Sequence, residues 1–175
     1  MAHKAKKAKG SDAPESGKKK PSEERTTPPK PKKLKNLTPA EEKALKPKHA
    51  PRIDKWRENG GDVDFYDDGT VVYTRSDGAS LPYRDGYPVF RDGRRADGSP
   101  MVIKEVEIEQ QGNHGSDFAD ANEAAGFKPT QQGHPDGTVW HHHEDQKTMQ
   151  LIHDEDHTAS QGGFSHQGGV SKSKQ

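Results

Sequence analysis

Trp140-His141-His142-His143 and the imidazoles around it are the residues of this chain best suited to chemistry, since eight of its ten histidines lie between His114 and His166. A neutral imidazole is the commonest protein ligand for zinc-like ions and also a base that works near neutral pH. The absence of cysteine excludes disulfides and leaves His, Asp, Glu and Asn as available ligands. Neighbouring side chains on a strand point to opposite faces, so His141 and His142 cannot serve one ion in the same way. One can bind while the other stands as a base. His157 and His166 lie downstream, where a helix and its following turn can return them to that ion. Consecutive buried imidazoles without a metal would leave many nitrogens unsatisfied, which argues against a purely structural pair.

These residues need elements to hold them. Thr138-Val-Trp-His-His-His reads as a strand, Glu144 to Lys147 as a turn, and Thr148-Met-Gln-Leu-Ile as the returning strand. Asp154 or Asp156 then starts a helix that Gly162-Gly163 interrupts. Upstream, Met101 to Glu109 alternates Ile103, Val106 and Ile108 with charge, which fits a strand with one solvated face. Ser116 or Asp117 can cap a helix that carries Phe118, Ala121 and Ala125 on one stripe and closes at Gly126. Lys128 to Gly137 is a Pro/Gly-rich connection. Earlier still, Asp-Gly pairs at 68–69, 77–78, 85–86, 92–93 and 97–98 separate short β-type runs, predicting an antiparallel meander over about 62–91. None of these pairs is followed by the carboxylates of a calcium loop.

The formal net charge of zero conceals two unlike halves: residues 1–57 carry 18 Lys/Arg against 7 Asp/Glu, and residues 58–175 carry 10 against 21. The first 50 residues have few large apolar side chains, too few to offset the entropy of ordering. Residues 1–57 are therefore expected to be a disordered basic tail, serving as a solvated linker or as a salt-sensitive polyanion anchor. Within it, Thr38-Pro-Ala-Glu-Glu predicts a short helix capped by Thr38, with Pro39 at its first position and Pro47 beyond its end. No apolar run is long enough to span a membrane, and Met1 to Lys9 lacks the apolar core of a signal peptide. The chain reads as soluble, with any export signal outside it. The expected class is α+β: the tail, a hairpin-rich segment over 58–100, a site-bearing core over 101–171, and a short end at 172–175.

Several motifs occur together in a fixed order: Asp117-Phe118, Ala121-Asn122, Ala125-Gly126, Gly137-Thr-Val-Trp-His-His-His-Glu-Asp, Thr148-Met-Gln-Leu, His157 and Phe164-Ser-His-Gln-Gly-Gly-Val-Ser. In that order they resemble the WHH family of the HNH/endonuclease VII nuclease superfamily, whose members are usually C-terminal modules of bacterial polymorphic toxins. The resemblance implies an HNH-type ββα-metal core that hydrolyses phosphodiester bonds. It assigns His141, His157 and His166 as metal ligands and His142 as the general base. Trp140 is expected to pack beside the site. Asp117 and Asn122 are supporting groups, either a cap and a loop brace or polar neighbours of the site. The group orienting His142 is sought among Glu105–Glu109, and His134, His143 and His153 are expected to face solvent.

The implied cofactor is a divalent ion (zinc, magnesium, manganese or nickel). Implied partners are nucleic acid, DNA before RNA, and a cognate immunity protein, without membrane insertion. The implied setting is a soluble toxin module that is made in the cytoplasm, delivered, and active in a target-cell cytoplasm. A histidine-rich metal-binding or adaptor protein without catalysis is the rival reading, and an RNase of the same fold a variant of the first.

Overall fold

The computed structural model describes residues 29–166. The chain divides into two units, residues 1–30 and 31–175. The expected disordered tail over residues 1–28 lies outside the described residues, as do residues 167–171 of the last motif and the short end at 172–175.

Four strands, β1 (Asp62–Phe65), β2 (Val71–Thr74), β3 (Ser80–Arg84) and β4 (Tyr87–Pro88), form an antiparallel meander in chain order. The predicted Asp-Gly turns explain why. Asp85 and Gly86 have φ of 53° and 84°, the paired positive values that a two-residue type I′ hairpin demands and that Asp-Gly tolerates. Alternation then turns Val63, Phe65, Val71, Tyr73, Leu81 and Tyr83 to one buried face, where they pack with Phe90, Met101, Ile152 and Phe164.

The disordered tail expected over residues 1–57 is corrected for its last part. Helices α1 (Pro39–Leu45) and α2 (Ile53–Glu58) are formed, and Leu34, Leu37, Ile53 and Trp56 pack against the meander core. Two effects outweigh the low apolar content. Lys33 pairs with Tyr66 at the edge of the sheet, with Leu34 N donating to Phe65 O at 2.8 Å. The Trp56 indole donates to Thr74 O at 2.9 Å. A preformed edge and face supply partners that the segment alone lacks. As predicted, Thr38 caps α1, in a reciprocal capping box with Glu41.

The second sheet has the order β5-β7-β6, with β7 (Thr148–His153) between β5 (Val102–Glu107) and β6 (Thr138–His142), all antiparallel. A register shift between Val102 and Lys104 turns Ile103 outward, 48% exposed, correcting its expected place on the apolar face beside Val106 and Ile108. Those two pack with Trp140, Met149, Leu151, Ala121 and Ala125. The last two belong to α3 (His114–Ala125), which begins earlier than expected: its cap is Asn113, whose side chain accepts from Ser116 N, and Gly126 closes it in the left-handed conformation. Asp117 is thereby left inside the helix. The strand-turn-strand unit is followed by α4 (Asp154–His157), a single turn. The molecule is thus α+β with two small antiparallel sheets. Among the described residues, no helix is long and apolar enough to cross a membrane.

Candidate metal and catalytic site

β6 is an edge strand of its sheet, and its two faces do different work. His141 turns toward His157 and His166, with ring centroids 5.4 and 5.0 Å away, and those two lie 4.7 Å apart. One ligand atom from each of the three falls within 4.8 Å of the others. Residues 16 and 25 positions away along the chain from His141 are thus gathered around one point. Phe90 packs against all three rings at 4.8–6.1 Å and walls one side of the cluster.

The backbone beyond α4 explains how His166 returns. Gly162 has φ of 88°, and a Cβ on Gly163 would stand 2.6 Å from Thr158 N. The glycine pair that was expected to interrupt a longer helix instead makes a turn tight enough for Gly163 N to donate to Thr158 O and Phe164 N to Asp156 O. Phe164, fully buried, then anchors in the meander core against Trp56. The Tyr83 hydroxyl donates to Ser165 O at 2.7 Å.

His157 is held by the residue before it. Asp156, with no exposed surface, accepts from Arg75 at 3.0 Å and from Arg95 at 3.0 Å. Arg75 also donates to Glu155 O, and Arg95 pairs with Glu155. The hairpin-rich segment therefore clamps the short helix that carries His157. Nothing in the spacing of Arg75, Arg95 and Asp156 announced this contact.

The electrostatics favour three neutral imidazoles. Burial holds His141 well below the ordinary imidazole value, and the neighbouring histidines push the same way. Burial lowers His157 to about 3 and also lowers His166, against the opposing pull of the Phe164 carbonyl. His166 Nδ1 lies 2.7 Å from that carbonyl. A carbonyl only accepts, so Nδ1 carries the proton and Nε2 keeps its lone pair. The fit to a metal rests on a separate observation: His157 Nδ1 is buried without a hydrogen-bond partner. A polar atom so placed costs about 1–3 kcal/mol if left unsatisfied, and an ion at the triad removes that cost where the nitrogen faces it. The three residues could hold a metal ion.

His142 leaves the opposite face of β6, only 4% exposed. Its Nε2 lies 2.9 Å from Asp117 Oδ2, which corrects the expectation that an acceptor on the Glu105–Glu109 strand orients the ring. Glu105 instead accepts from Gln150 and Arg91. Asp117 reaches His142 because α3 begins one turn early, and its carboxylate is fixed by Gln111 N at 2.8 Å and Gly112 N at 3.1 Å. Two backbone N–H groups already donate to the carboxylate, which only accepts, so His142 Nε2 donates and Nδ1 is the basic nitrogen. Burial lowers the His142 pKa, partly opposed by Asp117.

Trp140 is buried, and its indole donates to Asn122 Oδ1 at 2.8 Å. Asn122 Nδ2 donates to Thr130 O and lies 3.2 Å from His134 Nδ1. Asn122 is thus a loop brace, and His134, expected in solvent, is half-buried as part of it. His143 is also half-buried, its Nδ1 accepting from Asp145 N in the turn, and His153, half-buried too, precedes α4 as its cap position. His114, the first residue of α3, stacks near His142 at 5.2 Å.

A cleft of about 500 Å³ is lined by His142 and His114 together with His141, His157 and His166. His142 and the three-imidazole cluster therefore face one solvent-accessible space. Residues 130–175 match the model of the WHH family, described as a nuclease of the HNH/ENDO VII superfamily with conserved WHH. No curated protein matches the chain.

Proposed function

We propose that this chain, whose residues 130–175 match the WHH family of nucleases, which are phosphodiester hydrolases, is an endonuclease with an HNH-type core. In it His141, His157 and His166 hold a divalent ion and His142 activates water. The observation that carries the reading is the shared cleft, with the triad and the Asp117-oriented His142 on its walls. When bound, the ion supplies Lewis-acid neutralisation of charge developing on the phosphate and leaving oxygens.

The chain's own residues account for the rest. Asp117 accepts from His142 Nε2–H and so presents Nδ1 as the base. His142 Nδ1 takes the proton of the attacking water as its oxygen bonds phosphorus and the bond to the leaving oxygen breaks, a role worth ~10²–10⁴-fold. Phe164 O accepts from His166 Nδ1–H and holds that ring in the tautomer with a free Nε2. Phe90 and Phe118 keep the walls of the site apolar, which strengthens each polar contact inside. Three neutral nitrogens suit zinc or nickel better than magnesium or manganese, which prefer oxygen ligands.

DNA as substrate, a role as a delivered toxin module, and a cognate immunity protein are proposed from the ordered motifs alone. The test is nicking of plasmid DNA, and cleavage of RNA, with and without EDTA, beside His142→Ala. The expected result is metal-dependent cleavage of DNA by the wild type, abolished in the variant, while the variant still binds zinc. Tight zinc binding without cleavage of either polymer would establish the non-catalytic metal-binding reading instead. Growth arrest on expression, relieved by a neighbouring gene product, tests the toxin role.

A further inference from the structure

Residues 101–166 carry 3 Lys/Arg against 12 Asp/Glu, a composition that repels a polyanion. The cations that neutralise a nucleic-acid backbone must come from another part of the chain. Residues 31–57 carry 9 Lys/Arg against 3 Asp/Glu, and the packing of Trp56 on Phe164 at 5.2 Å brings α2 beside the segment that ends in His166. A cleft of about 330 Å³ lies there, its walls including Arg52, Lys55 and Asn59 on one side and Ala159, Gly162 and Ser165 on the other. Ala159 and Ser165 also line the histidine cleft. The two spaces therefore meet across a shared rim.

The side chains on this wall are suited to phosphate. Arg52 and Lys55 are 70% and 63% exposed, and their only carboxylate partners among the described residues are Asp54 and Glu58, themselves about two-thirds exposed. Such surface pairs are worth little and exchange readily for a phosphate oxygen. Arg75, on the same wall, is committed to Asp77 and Asp156 and is left out of the contact.

We infer that the α2 cleft is a nucleic-acid subsite: the strand flanking the scissile phosphate leaves the histidine cleft over Ala159 and Ser165, and its phosphates pair with Arg52 and Lys55. The inference rests on the nuclease reading and extends it to a segment outside the matched residues 130–175. It also gives the basic amino-terminal part a defined place in substrate binding. A second groove, between α1 and α2, shares Arg52 with the α2 cleft but no wall residue with the histidine cleft; its lysines, Lys43, Lys46 and Lys48, line that groove alone and serve as the control.

The experiment compares the full chain with Arg52→Ala/Lys55→Ala and with Lys43→Ala/Lys48→Ala, which lose the same charge. Binding of a labelled DNA duplex is measured in EDTA across a salt series. Cleavage of DNA and of bis(p-nitrophenyl) phosphate, too small to reach α2, is measured with divalent metal. The expected result for the first pair is a salt slope shallower by about 2, one unit per lost phosphate contact, with weaker binding. Its KM for DNA rises while hydrolysis of the small diester is unchanged, and the control pair behaves as the wild type. Equal weakening by both pairs, or none by either, overturns the inference while catalysis stands. Failure of the wild type to cleave either substrate removes the nuclease reading, and the salt slopes still report on the cleft.

Discussion

Replacing Asp117 with Asn tests the chemistry assigned to His142 with the smallest change of shape. The carboxylate accepts three hydrogen bonds, from Gln111 N, Gly112 N and His142 Nε2, whereas a carboxamide has one accepting oxygen and a nitrogen that only donates. Gly112 N and His142 Nε2 share Oδ2, and Gln111 N has Oδ1. With the amide oxygen on Gln111 N, the amide nitrogen opposes Gly112 N–H and faces His142, which must then accept on Nε2 and carry its proton on Nδ1; with the oxygen on the Oδ2 side, His142 keeps its donor bond but loses the anion that stabilises its imidazolium. Either way the base is weakened or lost although the ring stays in place. The expected loss in single-turnover cleavage at saturating metal is ~10²–10⁴-fold, the usual worth of a positioned base. The cost in stability is about 1.5–3 kcal/mol, that of one charge-assisted hydrogen bond. A domain of ordinary stability, about 5–15 kcal/mol, remains folded under assay conditions. The triad, on the other face of β6, keeps its metal affinity. Nicking rates, zinc titration and urea unfolding on the same preparations separate these effects. Cleavage within an order of magnitude of wild type, or a rate loss matched by an equal loss of zinc affinity, would refute the assignment of Nδ1 as the base.

Two more outcomes are expected. Asp156→Ala, which strands Arg75 and Arg95 beside α4, should cost about 3 kcal/mol, the lower end for breaking a buried pair because Arg75 keeps Asp77. It should also weaken zinc binding through His157; a change below about 1 kcal/mol in urea unfolding, with unaltered zinc affinity, would show that the clamp does not position the helix. In metal-free protein, the folded-state values of His141, His157 and His166 are depressed from 6.5, that of His157 to about 3. The unfolded chain therefore binds more protons below pH 6.5. Stability is fully present above that pH and is lost as pH falls toward the folded values, by up to about 1.4 kcal/mol per unit for each ring. Thermal melting in EDTA from about pH 8 to 5 should show this decline, and a flat profile would contradict the burial of neutral imidazoles.

Local rules were enough for some elements. The positions of the Asp-Gly turns, the Thr38 cap, the closing Gly126 and the strand-turn-strand run through Trp140 follow from φ preferences, capping chemistry and period-two alternation, all of which act within a few residues. Alternation alone also requires His141 and His142 to leave β6 on opposite faces. Ile103 departs from the pattern because a bulge is set by how β5 pairs with β7, and α3 begins after its cap Asn113 because its loop closes around Asp117.

The decisive contacts span long separations. That Asp117 rather than a glutamate of β5 meets His142, that Arg75 and Arg95 converge on Asp156, and that residues 31–57 order against the meander all depend on surfaces that exist only after both sheets have formed. The chain itself determined which residues were able to bind a cation or move a proton, because that is a property of side-chain chemistry. Tertiary packing decided which of them share a cleft, because proximity across 16 to 52 residues is set by the burial of Phe164, Trp56 and Phe90 and not by any local periodicity.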